Sequence, residues 1–310
     1  MIYTLTMNPA LDKTAELDEV QVGGLNRLQN VINDAGGKGI NVSKTLKSLN
    51  KESICLGIVA GNTGDYILDE LDRLKVKHDF LKIAGNTRTN LKVVDNHAIL
   101  SEFNESGPSP TINEQEQFII DLSQRLTKED ILVISGSVPS KVEATFYYEI
   151  IKAVKSKKVK VILDADGIQF HEGVKAIPDV IKPNRYELAQ YFNMEETMDD
   201  EMLVTLAKRW IDEGIKMVVV SMGCEGAYFI TAQEVLKAEA LNVKAHSSVG
   251  AGDAMVAALA YAIEEQLSLE EIAKLCSACG AGAVMTKGTK PATKEEVDKL
   301  MLEVKVKEVK

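Results

Sequence analysis

The 310-residue chain is 45% hydrophobic and 26% charged, the ordinary mix of a globular protein with a sizeable core, as one large domain or two smaller ones. Its net charge of -10 argues against nucleic acid as a partner, because affinity for a phosphate backbone is carried by clustered Lys and Arg; any anionic ligand must be held by local donors. No stretch reaches the roughly 20 apolar residues of a membrane-spanning helix, and the start, MIYTLTMNPALDK, enters a strand-like pattern with no signal-like run, so the cytoplasm is the default location.

In chain order, IYTLTMNPALD and SICLGIVAGN read as core strands, with KGINVSKTLKSLN and GDYILDELDRLK as helices beside them. Two flanking stretches, near residues 13–33 and 78–105, have a different character: short, partly alternating strands with turns at Gly23-Gly24, Gly85-Asn86 and Asp95-Asn96. They predict a small sheet projecting from the main domain, able to cover a site or pair with another subunit. From residue 113 onward, Val/Ile-rich runs at 131–137, 159–167, 180–184 and 216–223 alternate with helical segments at 113–130 and 142–158. Apolar runs without alternation are the mark of parallel strands covered on both faces, which predicts a doubly wound α/β fold. The charged tail EVKVKEVK reads as a solvated end. Cys276 and Cys279 form a C-x-x-C, but it lies in IAKLCSACGAGAV, which reads as a packed helix of small residues. The four histidines are scattered without ligand spacing, so a zinc site is not expected.

Four segments are able to carry chemistry. Gly250-Ala251-Gly252-Asp253 opens the apolar run AMVAALAYAIEEQ, and the unpartnered amides of a helix's first turn, with the helix dipole, form an anion site. Asp253 there is either a capping carboxylate or a general base beside a phosphate cradle. DAGGKGINVSKTLK places a second glycine cluster, with Lys38 inside it and Asn41 one turn on, at another helix start; it completes neither familiar nucleotide fingerprint. In IKPNRYELAQ, Asn184 and Glu187 stand three apart, suited either to Mg²⁺ held through water or to a capping box. Ser221, Gly223 and Gly226 follow a strand in VVVSMGCEGAYF, where a hairpin turn explains them equally well. Several polar or glycine-rich segments at strand ends together favour a binding site.

TMNPALD, GGKGINVSKTL, TRTNLKV, SGSVP, IKPNRYEL, SMGCEGA and VGAGDAM resemble, in order and spacing, the PfkB group of ribokinase-like sugar kinases, through nearly the whole chain. The resemblance implies one domain over 1–310, a three-layer α/β/α sandwich with a small β-sheet lid, and homodimers that pair through that lid. It implies ATP and Mg²⁺ as cofactors, with a monovalent cation as a further candidate. Asp253 would be the base that deprotonates a sugar hydroxyl, and Gly250, Ala251 and Gly252 the anion hole. Lys182, Asn184, Glu187, Ser221, Gly223, Gly226, Ser248 and Val249 would serve the nucleotide, with Asn184 and Glu187 organising Mg²⁺ through water. Asp12, Gly37, Lys38 and Asn41 would meet the sugar, with Arg88 and Asn90 at its existing phosphate and Arg27 and Ser137 as further contacts. The expected reaction is phosphorylation of a ketohexose phosphate, fructose 1-phosphate ahead of tagatose 6-phosphate. A non-catalytic sugar-phosphate sensor is the contrasting reading, weakened by the presence of Asp253 and its glycines.

Overall fold

The computed structural model describes residues 1–97, 99–246, 248–286 and 288–309, leaving Ala98 of the second flanking stretch and Lys310 of the tail outside the described residues. The chain runs through β1 (Ile2–Thr6), β2 (Ala10–Glu16), β3 (Gln29–Gly36), α1 (Lys38–Ser48), β4 (Ser53–Ala60) and α2 (Gly61–Arg73). It continues through β5 (Lys77–Ile83), β6 (Arg88–Val94), β7 (Leu100–Asn104), α3 (Ile112–Arg125), β8 (Ile131–Ser135) and α4 (Phe146–Lys155). Next come β9 (Lys160–Asp164), α5 (Gly167–Val174), β10 (Val180–Ile181), α6 (Arg185–Tyr191), α7 (Asp200–Asp212) and β11 (Met217–Ser221). The last elements are β12 (Ala227–Ile230), β13 (Val235–Ala238), α8 (Ala251–Glu265), α9 (Leu269–Met285), α10 (Lys294–Met301) and β14 (Val306–Glu308).

The main sheet has the order β14-β13-β12-β11-β10-β9-β8-β1-β4-β5. Strands β5 through β11 in that order pair in parallel, and β12, β13 and β14 extend the sheet antiparallel, so the expected doubly wound sheet is mixed rather than wholly parallel. Burial explains the unalternating apolar runs. In β8, Ile131 and Val133 enter the core beneath α1, α8 and α9, while Leu132 and Ile134 enter the opposite core beneath α3, α4 and α7. A central strand such as β8 thus feeds two hydrophobic layers, which is what a three-layer sandwich requires.

A second sheet of four strands has the order β3-β2-β6-β7. Its extent differs from the sequence reading. Residues 77–83, expected there, form β5 at the edge of the main sheet, where an exposed edge strand shows the same partial alternation as a projecting one. Conversely β2 begins at Ala10, earlier than expected, so Asp12 lies in the small sheet. The tail is also not a free end: β14 pairs with β13, and the Val309 amide donates to the Val235 carbonyl. Cys276 and Cys279 lie buried on α9, where burial pushes the Cys279 thiol up to about 12, consistent with packing. Among the described residues no helix is long and apolar enough to cross a membrane.

The strand order changes direction between β1 and β8, opening a crevice beyond their carboxyl ends, where ligands bind in open α/β sheets. Close packing of α1 on β1 sets one wall of that crevice. A Cβ at Gly39 would press on the Thr6 hydroxyl oxygen and lie 2.6 Å from the Leu5 carbonyl oxygen. Gly39→Ala is therefore expected to lower stability by about 1–3 kcal/mol, the usual cost of overpacking. A denaturant titration unchanged from the parent would contradict this account of the α1–β1 contact.

Candidate active site

Helix α8 starts at Gly250, whose φ of 85° is left-handed, a conformation glycine adopts without a Cβ penalty. Gly250 supplies no side-chain cap, and Asp253, in the first turn, does not provide one either: its Oδ2 accepts a hydrogen bond from Nδ2 of Asn41 at 2.8 Å. The carboxylate is buried, 7% exposed, and points across to α1. The first-turn amides of α8 have no intrahelical acceptors and form the ready anion site of a helix N-terminus. Ser248 and Val249, both exposed, lead directly into it.

Two ion pairs share this neighbourhood. Lys182 Nζ lies 3.0 Å from Asp164 Oδ1, both nearly fully buried, at the ends of β10 and β9. Lys38 Nζ donates to Asp166 Oδ1 at 2.5 Å. Burial raises the Asp253 carboxyl, and the Asp164 charge adds to it; with Asn41, Lys38 and Lys182 opposing, it stands at about 6. Burial works in the same sense on Asp164, but Lys182 and Lys38 overcome it and hold that carboxyl below its ordinary value. Burial opposes the Lys38 charge too, and Asp164 and Asp166 outweigh it, so its ammonium is held above its usual range. Adjacent carboxylates pushed apart in this way mark a site where one is poised to exchange a proton near neutral pH.

A second group of polar residues lies beside the first. Gly37, at φ 127°, turns the chain from β3 into α1 and brings Lys38 and Asn41 to the crevice. Asp12 Oδ1 accepts from Asn90 Nδ2 at 3.0 Å across β2 and β6, and a Cβ at Gly36 would sit 2.6 Å from the Asp12 carboxyl carbon. Arg88 Nη2 donates to the Asn8 carbonyl at 3.0 Å, and Asn8 Nδ2 reaches Ser137 Oγ at 3.4 Å, spanning the β1–β8 crevice. Burial lowers the Arg88 value from its ordinary one, opposed by Asp12. Asn8 Oδ1, Asn41 Oδ1, Asn90 Oδ1 and Arg88 Nε are buried with no partner among the described residues. Unsatisfied buried polar atoms are costly, and four beside one crevice suit a polar ligand that completes them.

On the other flank, Asn184 and Glu187 form a capping box at the start of α6. Asn184 Oδ1 accepts from the Glu187 amide at 2.7 Å, and Glu187 Oε2 accepts from the Asn184 amide at 2.8 Å. The capping alternative is thus realised. It leaves the second Glu187 oxygen available, and burial raises that carboxyl. Ser221 ends β11, its amide donates to the Pro183 carbonyl at 3.0 Å, and it bridges Asn184, which joins this helix start to the next loop. That loop is a hairpin with a short 3-10 turn over Gly223–Glu225. Gly226, at φ 92°, lies so close to the Ala238 carbonyl oxygen that no side chain fits. Arg27 is exposed in the β2–β3 connection, and no described contact joins it to the cluster. Asn8, Asp164 and Asp166 enter the site although the sequence alone gives none of them a role. DADG at a strand's carboxyl end was the available signal for the two carboxylates.

Among the described residues no group of three or more His, Cys, Asp and Glu side chains forms a metal cage. The Glu187 and Asp164 carboxylates are close enough to act on each other, and one or two carboxylates are the donor set that Mg²⁺ uses when it arrives with phosphates and keeps several waters.

A crevice at the strand-order switch, two glycine-opened helices with a buried carboxylate between them, and a small sheet that carries Asp12 and Arg88 define the ribokinase-like class of sugar kinases. The chain belongs to the pfkB carbohydrate kinase family: residues 5–296 match the profile described as pfkB family carbohydrate kinase. It is 36% identical over 310 residues to a 1-phosphofructokinase of Borreliella burgdorferi, covering 100% of this chain and 99% of the relative. It is 32% identical over 311 residues to a tagatose-6-phosphate kinase of Staphylococcus epidermidis, covering both chains fully (100% each). Among solved structures, phosphofructokinase-2 of Escherichia coli in complex with potassium superimposes with a TM-score of 0.92 at 28% identity, over 97% of this chain and 98% of that one. The chain is accordingly a phosphotransferase with an alcohol acceptor.

If the buried Asp253 carboxyl is the base, it sets a pH dependence. A base must be unprotonated to accept a proton, so kcat/KM is expected to fall as pH drops below about 6. Asn41 donates to the carboxylate and favours its charged form, so Asn41→Leu is expected to shift this acid limb to higher pH. A limb that stays in place or moves down in the variant's pH–rate profile would contradict the assignment.

Proposed function

We propose that this enzyme transfers the γ-phosphoryl group of ATP to a free hydroxyl of a ketohexose phosphate, converting fructose 1-phosphate to fructose 1,6-bisphosphate. The observation that carries the reading is Asp253: a buried carboxylate, raised to about 6, on the first turn of a glycine-opened helix. Its oxygen takes the hydroxyl proton as the sugar oxygen bonds to the γ-phosphorus. The bond from phosphorus to the bridging oxygen breaks, and ADP leaves with that electron pair. The amides of Gly250, Ala251 and Gly252 meet the charge on the transferring group, and Lys38 and Lys182 supply positive charge beside it. When bound, Mg²⁺ neutralises phosphate charge; Asn184 and Glu187 are the residues assigned to organise it through water. Positioning supplies most of the remaining acceleration.

For the sugar, Asp12, Asn41 and Asn90 offer hydroxyl partners beside Gly37, and Arg88 with its unpartnered Nε faces the existing phosphate, near Ser137. Fructose 1-phosphate is favoured over tagatose 6-phosphate by the relatives named for each, at 36% and 32% identity. Lys182, Ser221, Gly223, Gly226, Ser248 and Val249 are assigned to the nucleotide side. The monovalent cation has its support in the potassium of the E. coli structure. A panel of fructose 1-phosphate, tagatose 6-phosphate and fructose 6-phosphate, read as ADP release, tests the assignment. Fructose 1-phosphate should give the highest kcat/KM. A higher value for tagatose 6-phosphate would transfer the assignment to that sugar, and binding without turnover on all three would support the sensor.

The small sheet serves in this reading as lid and dimer contact. Its strands and connections expose Val22, Leu25, Val31, Ile32, Leu100 and Phe103 to solvent. Sheet edges are usually paired or covered, and an isologous pairing of two such sheets covers both. Arg27, exposed in the same sheet's turn, would then gain its contact from the assembled dimer. Light scattering should give the mass of a dimer, and Phe103→Asp should reduce it to that of one chain. A parent protein of monomer mass at working concentration would refute the pairing.

A further inference from the structure

Asp166 has no part in the assignments above, and its placement is unusual for its type. It occupies the N-cap position of α5, where an Asp side chain ordinarily accepts from an amide of the first turn, yet it makes no such bond. Its Oδ1 instead receives Nζ of Lys38, 128 residues away in sequence. Asp166 forgoes its cap in order to hold that ammonium. The stem of Lys38 runs over Gly136, its Cβ, Cγ and Cδ 3.5–3.8 Å from where a Cβ of Gly136 would be, an ordinary contact distance. Gly136 has φ 88°, a conformation other side chains rarely take, so its backbone accounts for the glycine and no side chain stands against Lys38 there.

We infer that Asp166 is a positioning residue that orients the Lys38 ammonium for the phosphoryl group in transfer. The inference rests on the reading of Lys38 under Proposed function. An ammonium carries three donors, so the bond to Asp166 leaves two for phosphate oxygens, and Asp166 need not be displaced when substrate enters. A free lysine side chain samples many rotamers and must be ordered in each catalytic cycle. One held at its head by a carboxylate has already lost part of that freedom. The pair is partly open to solvent, with side-chain exposures of 33% for Lys38 and 49% for Asp166, so its value to folding is small and its effect falls on orientation.

The test is a double-mutant cycle on the full chain with ATP and the best sugar phosphate from the panel. Variants are Asp166→Asn, which keeps the size and capping ability, Lys38→Met, their combination, and Asp166→Glu as the charge-preserving rescue. Asp166→Asn should lower kcat about three- to tenfold, the range for freeing one long side chain, with an unchanged melting temperature and little change in KM for the sugar. Asp166→Glu should recover most of that loss, and in the Lys38→Met background Asp166→Asn should have no further effect. An unchanged kcat in Asp166→Asn, or the same loss with and without Lys38, overturns the inference while leaving the functional reading intact. Full turnover in Lys38→Met alone rejects the role of Lys38 and this inference with it.

Discussion

Two buried carboxylates, one buried ammonium group and a second, half-buried one beyond the carboxyl ends of the central strands are the constraint on which this structure turns. Lys182 and Lys38 lower the Asp164 and Asp253 carboxyls, and the Asp164 charge raises that of Asp253. A single buried charge costs several kcal/mol unless paired, so the cluster is tolerable only because its signs balance locally. Asp164 takes the direct pairing with Lys182, and Asp253, left with the neutral donor Asn41, carries the raised value. The inequality matters chemically. One carboxylate stays charged and anchors a cation, while the other is poised to accept a proton.

The fold exists around that cluster in a specific sense. Helix α8 is buried almost all round, with alanines at 254, 257, 258, 260 and 262 letting it lie close between α1 and α9. Small side chains leave little room for the helix to shift, so Asp253 faces Asn41 in a fixed register. Gly36, Gly37 and Gly39 do the same for α1 from the other side, where side chains would collide with Asp12, Thr6 and the β1 backbone. The reversal of strand order between β1 and β8 then leaves an opening beyond those elements, which Asn8 and Ser137 span.

Much of this arrangement was legible in local pattern. The apolar runs that became β8, β9 and β11 were recognisable because strands covered on both faces need no polar side. The GAGD and GGKG turns stood out because glycines at helix starts are costly without a purpose. What stayed hidden depended on distant partners. Asp164 and Asp166 look like ordinary loop carboxylates until Lys182 and Lys38 are brought beside them. Strand β5 was placed with the small sheet because an edge strand exposed on one side alternates as a projecting strand does, and β14 was missed because three charged-rich residues become a strand only against β13. In N-x-x-E, a capping box and a ligand pair demand the same residues at the same spacing, and the structure realises the capping bonds while leaving one carboxylate oxygen spare.

The central claim is that the Asp253 carboxylate accepts the proton of the attacking hydroxyl. Turnover of Asp253→Asn at saturating ATP and sugar phosphate tests it most directly, since the replacement keeps shape and can still meet Asn41. The account predicts a loss of about 100-fold or more, the scale for removing a positioned base, with folding and ligand binding retained. Near-normal turnover in that variant would contradict it.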